Sequence, residues 1–296
     1  MSATRCEPKT RNTASSRCKY DWGLFCRIVV TPRGKIYTGL DTDGVTPITF
    51  DEWIMKGIHA ARRADRFYPM PYFSDSVSTS EDKTTWTNGY GQTFVIKEGN
   101  KGLTQSYNQD FCLSNRLATF NDGIIRRAIV FDNKSKAWGG GKSGGWAGYE
   151  SNIFATTADI TQPSEISEPK IDYTFIVPAE FADKQPMDTD LNIVELEGLE
   201  DVNMVIVKKN TTTEIFFYTD CGEADVTAEM AAISGERSCW IMDGNPMQLT
   251  APTFADGKFV INNNALTGSE LTLATPDVLY QNGLAFKECQ NIVQLT

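Results

Sequence analysis

The triplet Gly141-Lys142-Ser143 has the residue types of a phosphate-binding loop, where backbone amides and a lysine cradle phosphate oxygens. That pattern requires a glycine five positions before Gly141. Position 136 is lysine, so the triplet reads as part of a flexible glycine loop. The only histidine, His59, falls on an expected helix among Ala, Arg and Lys, and reads as a surface or internally satisfied side chain rather than a general base. Asp41-Thr42-Asp43-Gly44 offers the first ligands of a calcium loop, but its glycine stands at the wrong offset, and an Asx-type turn is the simpler reading. Carboxylates pair in sequence at Glu165 and Glu168, Glu195 and Glu197, and Glu200 and Asp201. Glycosidase chemistry needs two such groups facing each other in a cleft. With 38 acids in the chain, such pairs arise by chance. Trp138 and Trp146, beside glycines, have the rings to stack on a sugar or on another subunit. None of these features assembles a nucleophile, base and orienting group, so no catalytic residue, metal ligand or cofactor site is assigned and a non-enzymatic chain is expected.

Seven cysteines are widely spaced, with no C-x-x-C pair, which argues against a zinc finger; free, buried thiols are expected. The start of the sequence lacks the apolar centre of a secretory signal, and no apolar run reaches the roughly 18 residues of a membrane span, so synthesis in the cytoplasm is expected. Charge is polarised along the chain. Residues 1–35 hold eight Lys and Arg against two acids, residues 36–142 thirteen against twelve, and residues 143–296 seven against twenty-four. An acidic second half argues against a nucleic-acid surface, because phosphate contacts need Lys and Arg. A basic arm on one copy and acidic surface on the next suit subunit contact.

The elements follow from pattern. Residues 1–20 are polar and read as an extended arm. Leu24–Val30 and Lys35–Gly39 read as a hairpin around Pro32–Gly34, and Asp51 to Arg66 as a helix capped by Thr49 or Asp51. Residues 67–85 read as a long loop whose rings, Phe67, Tyr68, Tyr72 and Phe73, are available to a neighbour or to their own domain. Thr84–Thr87 and Thr93–Lys97 flank Asn88-Gly89-Tyr90-Gly91, a strong hairpin signal. Phe111–Phe120 has helical spacing, and Ile124–Phe131 is a strand turning into Lys136–Trp138. Residues 139–148, GGGKSGGWAG, read as a loop that no packed element would tolerate. Beyond an acidic junction at 186–203, short strands punctuated by turns point to a small β-sandwich at 204–296, with one helix at Ala224–Ile233 and strands including Met247–Thr250 and Val278–Tyr280.

Taken in order, the polar segment Ser76–Asp82, Trp86-Thr-Asn-Gly-Tyr-Gly-Gln, Phe94-Val-Ile-Lys-Glu-Gly99, Leu117–Asn121, Ala128-Ile-Val-Phe-Asp132 and Leu196-Glu-Gly-Leu-Glu-Asp-Val202 resemble virion structural proteins of tailed phages of gut Bacteroides and relatives, in the tail-tube-like group. The resemblance covers about half of the chain. It implies a subunit that stacks as rings, with strands closing an inner barrel, arms or loops reaching the next ring, and an acidic character that keeps passing DNA from sticking.

The expectation is therefore a β-rich α+β chain. An arm at 1–20 precedes a central barrel-like sheet domain at 21–185 with one or two short helices, then the junction at 186–203 and the sandwich at 204–296. The partners expected are other copies in a ring or stacked rings, other virion proteins, and genomic DNA as a non-specific passenger, with no membrane and no cofactor. The place expected is the virion, assembled in the host cytoplasm. Arg5, Lys9, Arg11, Arg17, Phe67, Tyr68, Tyr72 and Phe73 are the candidate subunit-interface residues. A capsid-associated or connector protein is the nearest alternative, and a carbohydrate- or host-binding β module another.

Overall fold

The computed structural model describes residues 24–108, 111–142, 144–157, 160–162, 165–177, 185–262 and 268–295. Strands cover 44% of it and helices 14%, so the chain is strand-rich. It divides into two compact units. One runs to Met55 and resumes over Phe67–Glu197; the other combines Lys56–Arg66 with the chain from Gly198 onward. Residues 186–197, expected as a junction, thus belong to the first unit.

In the first unit the strands are β1 (Phe25–Pro32), β2 (Tyr68–Pro69), β3 (Asp75–Ser78), β4 (Thr84–Thr87), β5 (Thr93–Lys97), β6 (Lys101–Ser106), β7 (Arg126–Asp132), β8 (Lys136–Lys142), β9 (Gly145–Ala147), β10 (Tyr149–Thr156), β11 (Ile160–Gln162), β12 (Glu165–Ile166), β13 (Lys170–Phe175) and β14 (Gln185–Asp188). Ten of them form one sheet curled into a half-barrel, in the order β14-β8-β7-β10-β13-β6-β3, with β1 on β7, β2 on β1 and β9 on β8. Two helices follow, α1 (Phe50–Ile58), whose last three residues belong to the second unit, and α2 (Phe111–Ala118) within the first.

The expected hairpin at 24–40 does not form. β1 pairs antiparallel with β7 instead, Val29 opposite Ile129 and Val30 opposite Ala128. Ile28, Val29 and Val30 are all fully buried, so both faces of β1 are covered; a β-branched run of this kind belongs inside a sheet rather than in an isolated hairpin. The core beneath gathers Ile28, Val30, Ala128, Val130, Tyr149, Ile153, Ile171 and Tyr173. α1 starts in a reciprocal cap. The Glu52 amide donates to Thr49 Oγ1 at 3.2 Å, and the Thr49 amide donates to Glu52 Oε2 at 2.8 Å. The helix stops at Ile58, not Arg66, because Arg66 folds back and donates to the carbonyls of Ala60 and Ala61, which ends the helical register.

The second unit holds β15 (Glu200–Lys208), β16 (Thr212–Thr219), β17 (Trp240–Met242), β18 (Asn245–Pro246), β19 (Thr253–Ala255), β20 (Lys258–Asn262), β21 (Ser269–Leu273), β22 (Lys287–Cys289) and β23 (Val293–Leu295). They form a five-stranded sheet, β19-β20-β16-β15-β22, and a four-stranded sheet, β18-β17-β21-β23. One core draws on both, with Val202, Met204, Phe217 and Phe259 from the first and Trp240, Leu271 and Leu273 from the second. Residues 278–280, expected as a strand, lie in helix α3 (Pro276–Gln281), where Pro276 takes the first turn at no hydrogen-bond cost. The helix expected at Ala224–Ile233 shrinks to a 3₁₀ turn at Glu229–Ile233. Upstream of it, the Thr227 amide donates to Asp225 Oδ1 and the Phe217 amide to Thr227 Oγ1, which holds the chain in a turn. Met247–Thr250, expected as a strand, forms none; the two-residue β18, Asn245–Pro246, ends just before it.

Candidate assembly surface

Several of the candidates for chemistry have a structural occupation. His59 is buried in the second unit, stacked on Tyr280 with centroids 4.1 Å apart, and its Nε2 accepts the Phe286 amide at 3.2 Å. Asp43 forms the expected Asx-type turn, its Oδ1 accepting the amides of Val45 and Thr46 at 2.8 and 2.9 Å. Glu200 accepts from Lys287 and Asp201 from Gln290. Glu288 takes both terminal nitrogens of the buried Arg66, at 2.6 and 2.9 Å. Burial pushes the Glu288 carboxyl up, but Arg66 and Arg63 outweigh it and hold the group below its ordinary range. Among the described residues, no cluster of three or more His, Cys, Asp or Glu side chains could hold a metal ion, and no helix is long and apolar enough to cross a membrane.

Three sequence expectations need correction. The glycine stretch is a packed hairpin, β8–β9, not a flexible loop. A Cβ on Gly139 would sit 2.3 Å from the Ala147 carbonyl oxygen and 2.5 Å from the Trp146 ring, so glycine is what lets Trp146 lie on the strand. Trp138 and Trp146 are buried and present no ring to a sugar. Trp138 Nε1 donates to Asp132 Oδ2 at 2.8 Å, and Trp146 meets Phe50 edge-to-face at 5.2 Å. Cys26, Cys239 and Cys289 are free thiols, but Cys112 and Cys221 are disulfide-bonded; wide spacing in sequence says nothing about such pairing.

Of the interface candidates, Arg5, Lys9, Arg11 and Arg17 lie outside the described residues. Phe67 is buried in its own unit, edge-on to Trp53 at 4.7 Å. Tyr68 and Phe73 pack on the same unit's core, Tyr68 against Phe120. Tyr72 remains exposed, with its ring over the Arg27 guanidinium at 4.4 Å. Arg27 is buried, with Nε and Nη1 lacking hydrogen-bond partners, and burial pulls its pKa down.

The surface that sequence reasoning missed is a ribbon running from β3 to β6. Its base is sheet, with Val77 opposite Thr104. The two chains stay bonded past the sheet, the Thr79 amide to the Gly102 carbonyl and the Glu81 amide to the Asn100 carbonyl. They then become the separate two-stranded sheet β4–β5. Its turn is closed by Asn88, whose Oδ1 accepts the amides of Tyr90 and Gln92, with Gly91 at φ +76° as a hairpin loop of this length requires. Every residue of β4 and β5 is exposed. Trp86 stacks across on Phe94 at 5.9 Å, yet they are 54% and 50% exposed, Ile96 is 67% and Tyr90 93%. An isolated two-stranded hairpin is at best marginally stable in water, and apolar rings in a row mark an interaction site. The signal was present in the apolar residues of TWTNGYGQTFVIK; what was absent was any sign that no other segment would cover them.

The half-barrel's margins also differ. β9 is bonded on its far side by the Tyr37 backbone, the Tyr37 amide to the Trp146 carbonyl and the reverse. β2 carries Pro69 and β14 carries Pro186, and proline offers no ladder donor. β3, Asp-Ser-Val-Ser, has neither proline nor lysine, and no described strand pairs with its outer side.

No protein-family model, no curated protein and no solved structure matches this chain.

Proposed function

We propose that this chain is a structural subunit of a virion that self-assembles into rings or a tube of the tail class, with DNA as a passenger. A capsid-associated or connector position is the nearest variant. The observation that carries this reading is the β3 margin of the half-barrel, which no described strand pairs and no proline interrupts. A curled sheet with a free, proline-free edge is built to be continued by another strand. Tyr72 and the basic residues Arg5, Lys9, Arg11 and Arg17 are further contacts on this reading. The two sheets of the second unit, sharing one core, are read as a small sandwich carried on the outside. An acidic chain of net charge −10 is suited to a conduit, because like charge disfavours phosphate binding.

Negative-stain imaging and sedimentation velocity of the purified full chain test this. Hollow rings or short tubes are expected as concentration rises. A strictly monodisperse monomer at high concentration overturns it.

A further inference from the structure

From the exposed hairpin β4–β5 we infer a second contact between copies: its ring-bearing face packs against the same face of another copy, two-fold and self-complementary. This deepens the assembly reading and rests on it only in requiring that the chain associate with itself.

Three observations favour a second copy over a foreign partner. The first is charge. The whole chain carries −10 and copies repel one another on average, yet the ribbon 75–106 sets Asp75, Glu81, Asp82 and Glu98 against Lys83, Lys97 and Lys101. Lys83 and Glu98 pair within it at 2.9 Å, and the span Trp86–Ile96 holds no charge at all. Two copies approach here with little of the self-repulsion that the rest of the surface imposes. The second is composition. Trp86, Tyr90, Phe94, Val95 and Ile96 place five of the exposed large apolar side chains within eleven residues, while the others are spread along the chain. The best match on this molecule for a flat row of rings is that row itself, which is the condition for an isologous contact. The third is area. At roughly 200 Å² per fully open aromatic side chain, Trp86, Tyr90 and Phe94 leave roughly 400 Å² uncovered. Ile96, at the bulge beside them and 67% exposed, brings this to about 500 Å² per copy, so a symmetric pair reaches the ~1,000 Å² total that a specific interface needs. A contact that buried the face on one side only, against polar surface, would fall short of that in apolar area.

Hairpin-to-hairpin packing turns two isolated ribbons into a two-layered, four-stranded unit whose layers sit about 10 Å apart, with rings inside. The other face bears Thr85 and Val95 beside Thr87 and Thr93, the last two joined through their hydroxyls at 3.0 Å, and remains in water.

The experiment places p-benzoylphenylalanine at position 94 of the full chain, with photo-crosslinked peptides mapped by mass spectrometry. Beside it, sedimentation velocity compares the wild type with Trp86→Thr/Phe94→Thr. The inference expects crosslinks from position 94 into residues 84–97 of the other copy, and at least a tenfold weaker two-fold association in the double variant. Ile96→Lys, which keeps both rings, should weaken it in the same direction. Crosslinks that map elsewhere on the second copy, or a double variant that associates like the wild type, overturn the inference and leave ring assembly through β3 standing. A wild type that pairs through the hairpin but forms no rings or tubes would sink the tube reading and leave this contact. A wild type that never associates removes both.

Discussion

Two hairpins of the first unit, β4–β5 and β8–β9, have the opposite of the environments their side chains suggest. The first is rich in Thr, Trp, Phe, Val and Ile, the composition of a buried strand, and it stands open to water. The second has six glycines in ten residues, the composition of a loop, and it is packed into the fold. The difference lies in what each hairpin can find to cover it. A glycine strand lets another segment approach to backbone distance, and Trp146, Phe50 and Tyr37 fill the space that missing side chains leave. A strand of rings needs a broad apolar partner, and the described residues of its own unit leave it half exposed. Small residues thus mark cover from within the chain here, and the large ones are left open to water.

Four measurements would break or sharpen that contrast. The largest effect is expected from Trp146→Ala, which empties the ring site above the glycines and should cost about 3–5 kcal/mol in denaturant unfolding followed by circular dichroism. A loss under about 1 kcal/mol would mean the glycine hairpin is not held by that ring. Gly139→Ala should cost about 2–3 kcal/mol, since the new methyl meets a backbone carbonyl that has no room to retreat; wild-type stability in this variant would contradict the close approach. Asp132→Ala removes the acceptor of the Lys134 and Lys136 amides and of the Trp138 indole. About 1–3 kcal/mol is expected, with faster exchange of the Trp138 indole proton by NMR. The smallest effect on the folded monomer belongs to Trp86→Thr/Phe94→Thr, within about 0.5 kcal/mol, because among the described residues each of these half-exposed rings stacks only on the other. A loss as large as that of Trp146→Ala would show that the hairpin is covered within its own chain after all.

Much of the fold was legible where local pattern and tertiary environment agree. The Asn-Gly-Tyr-Gly turn, the helix at Phe111–Ala118 and strands β7, β15, β16, β20 and β21 sit close to where alternation and turn residues place them. What local pattern does not carry is pairing over distance. Nothing in Leu24–Gly39 says that β1 will join β7, a hundred residues on, instead of its own continuation. Nothing in Val278–Tyr280 outweighs a proline placed to start a helix. The candidate surface was half legible for the same reason: composition finds apolar strands, but exposure is decided by every other segment of the chain.

The unequal margins of the half-barrel have a consequence that polymer chemistry states well. With Tyr37 bonded along one margin and prolines removing donors on two others, β3 is the margin that no described strand pairs and no proline interrupts. Paired β3 to β3, two copies couple once and stop; a ring forms only where β3 joins a different surface of the next copy. Extended structures then need a second, chemically different linkage on each copy, and two orthogonal linkages allow assembly to proceed in ordered stages.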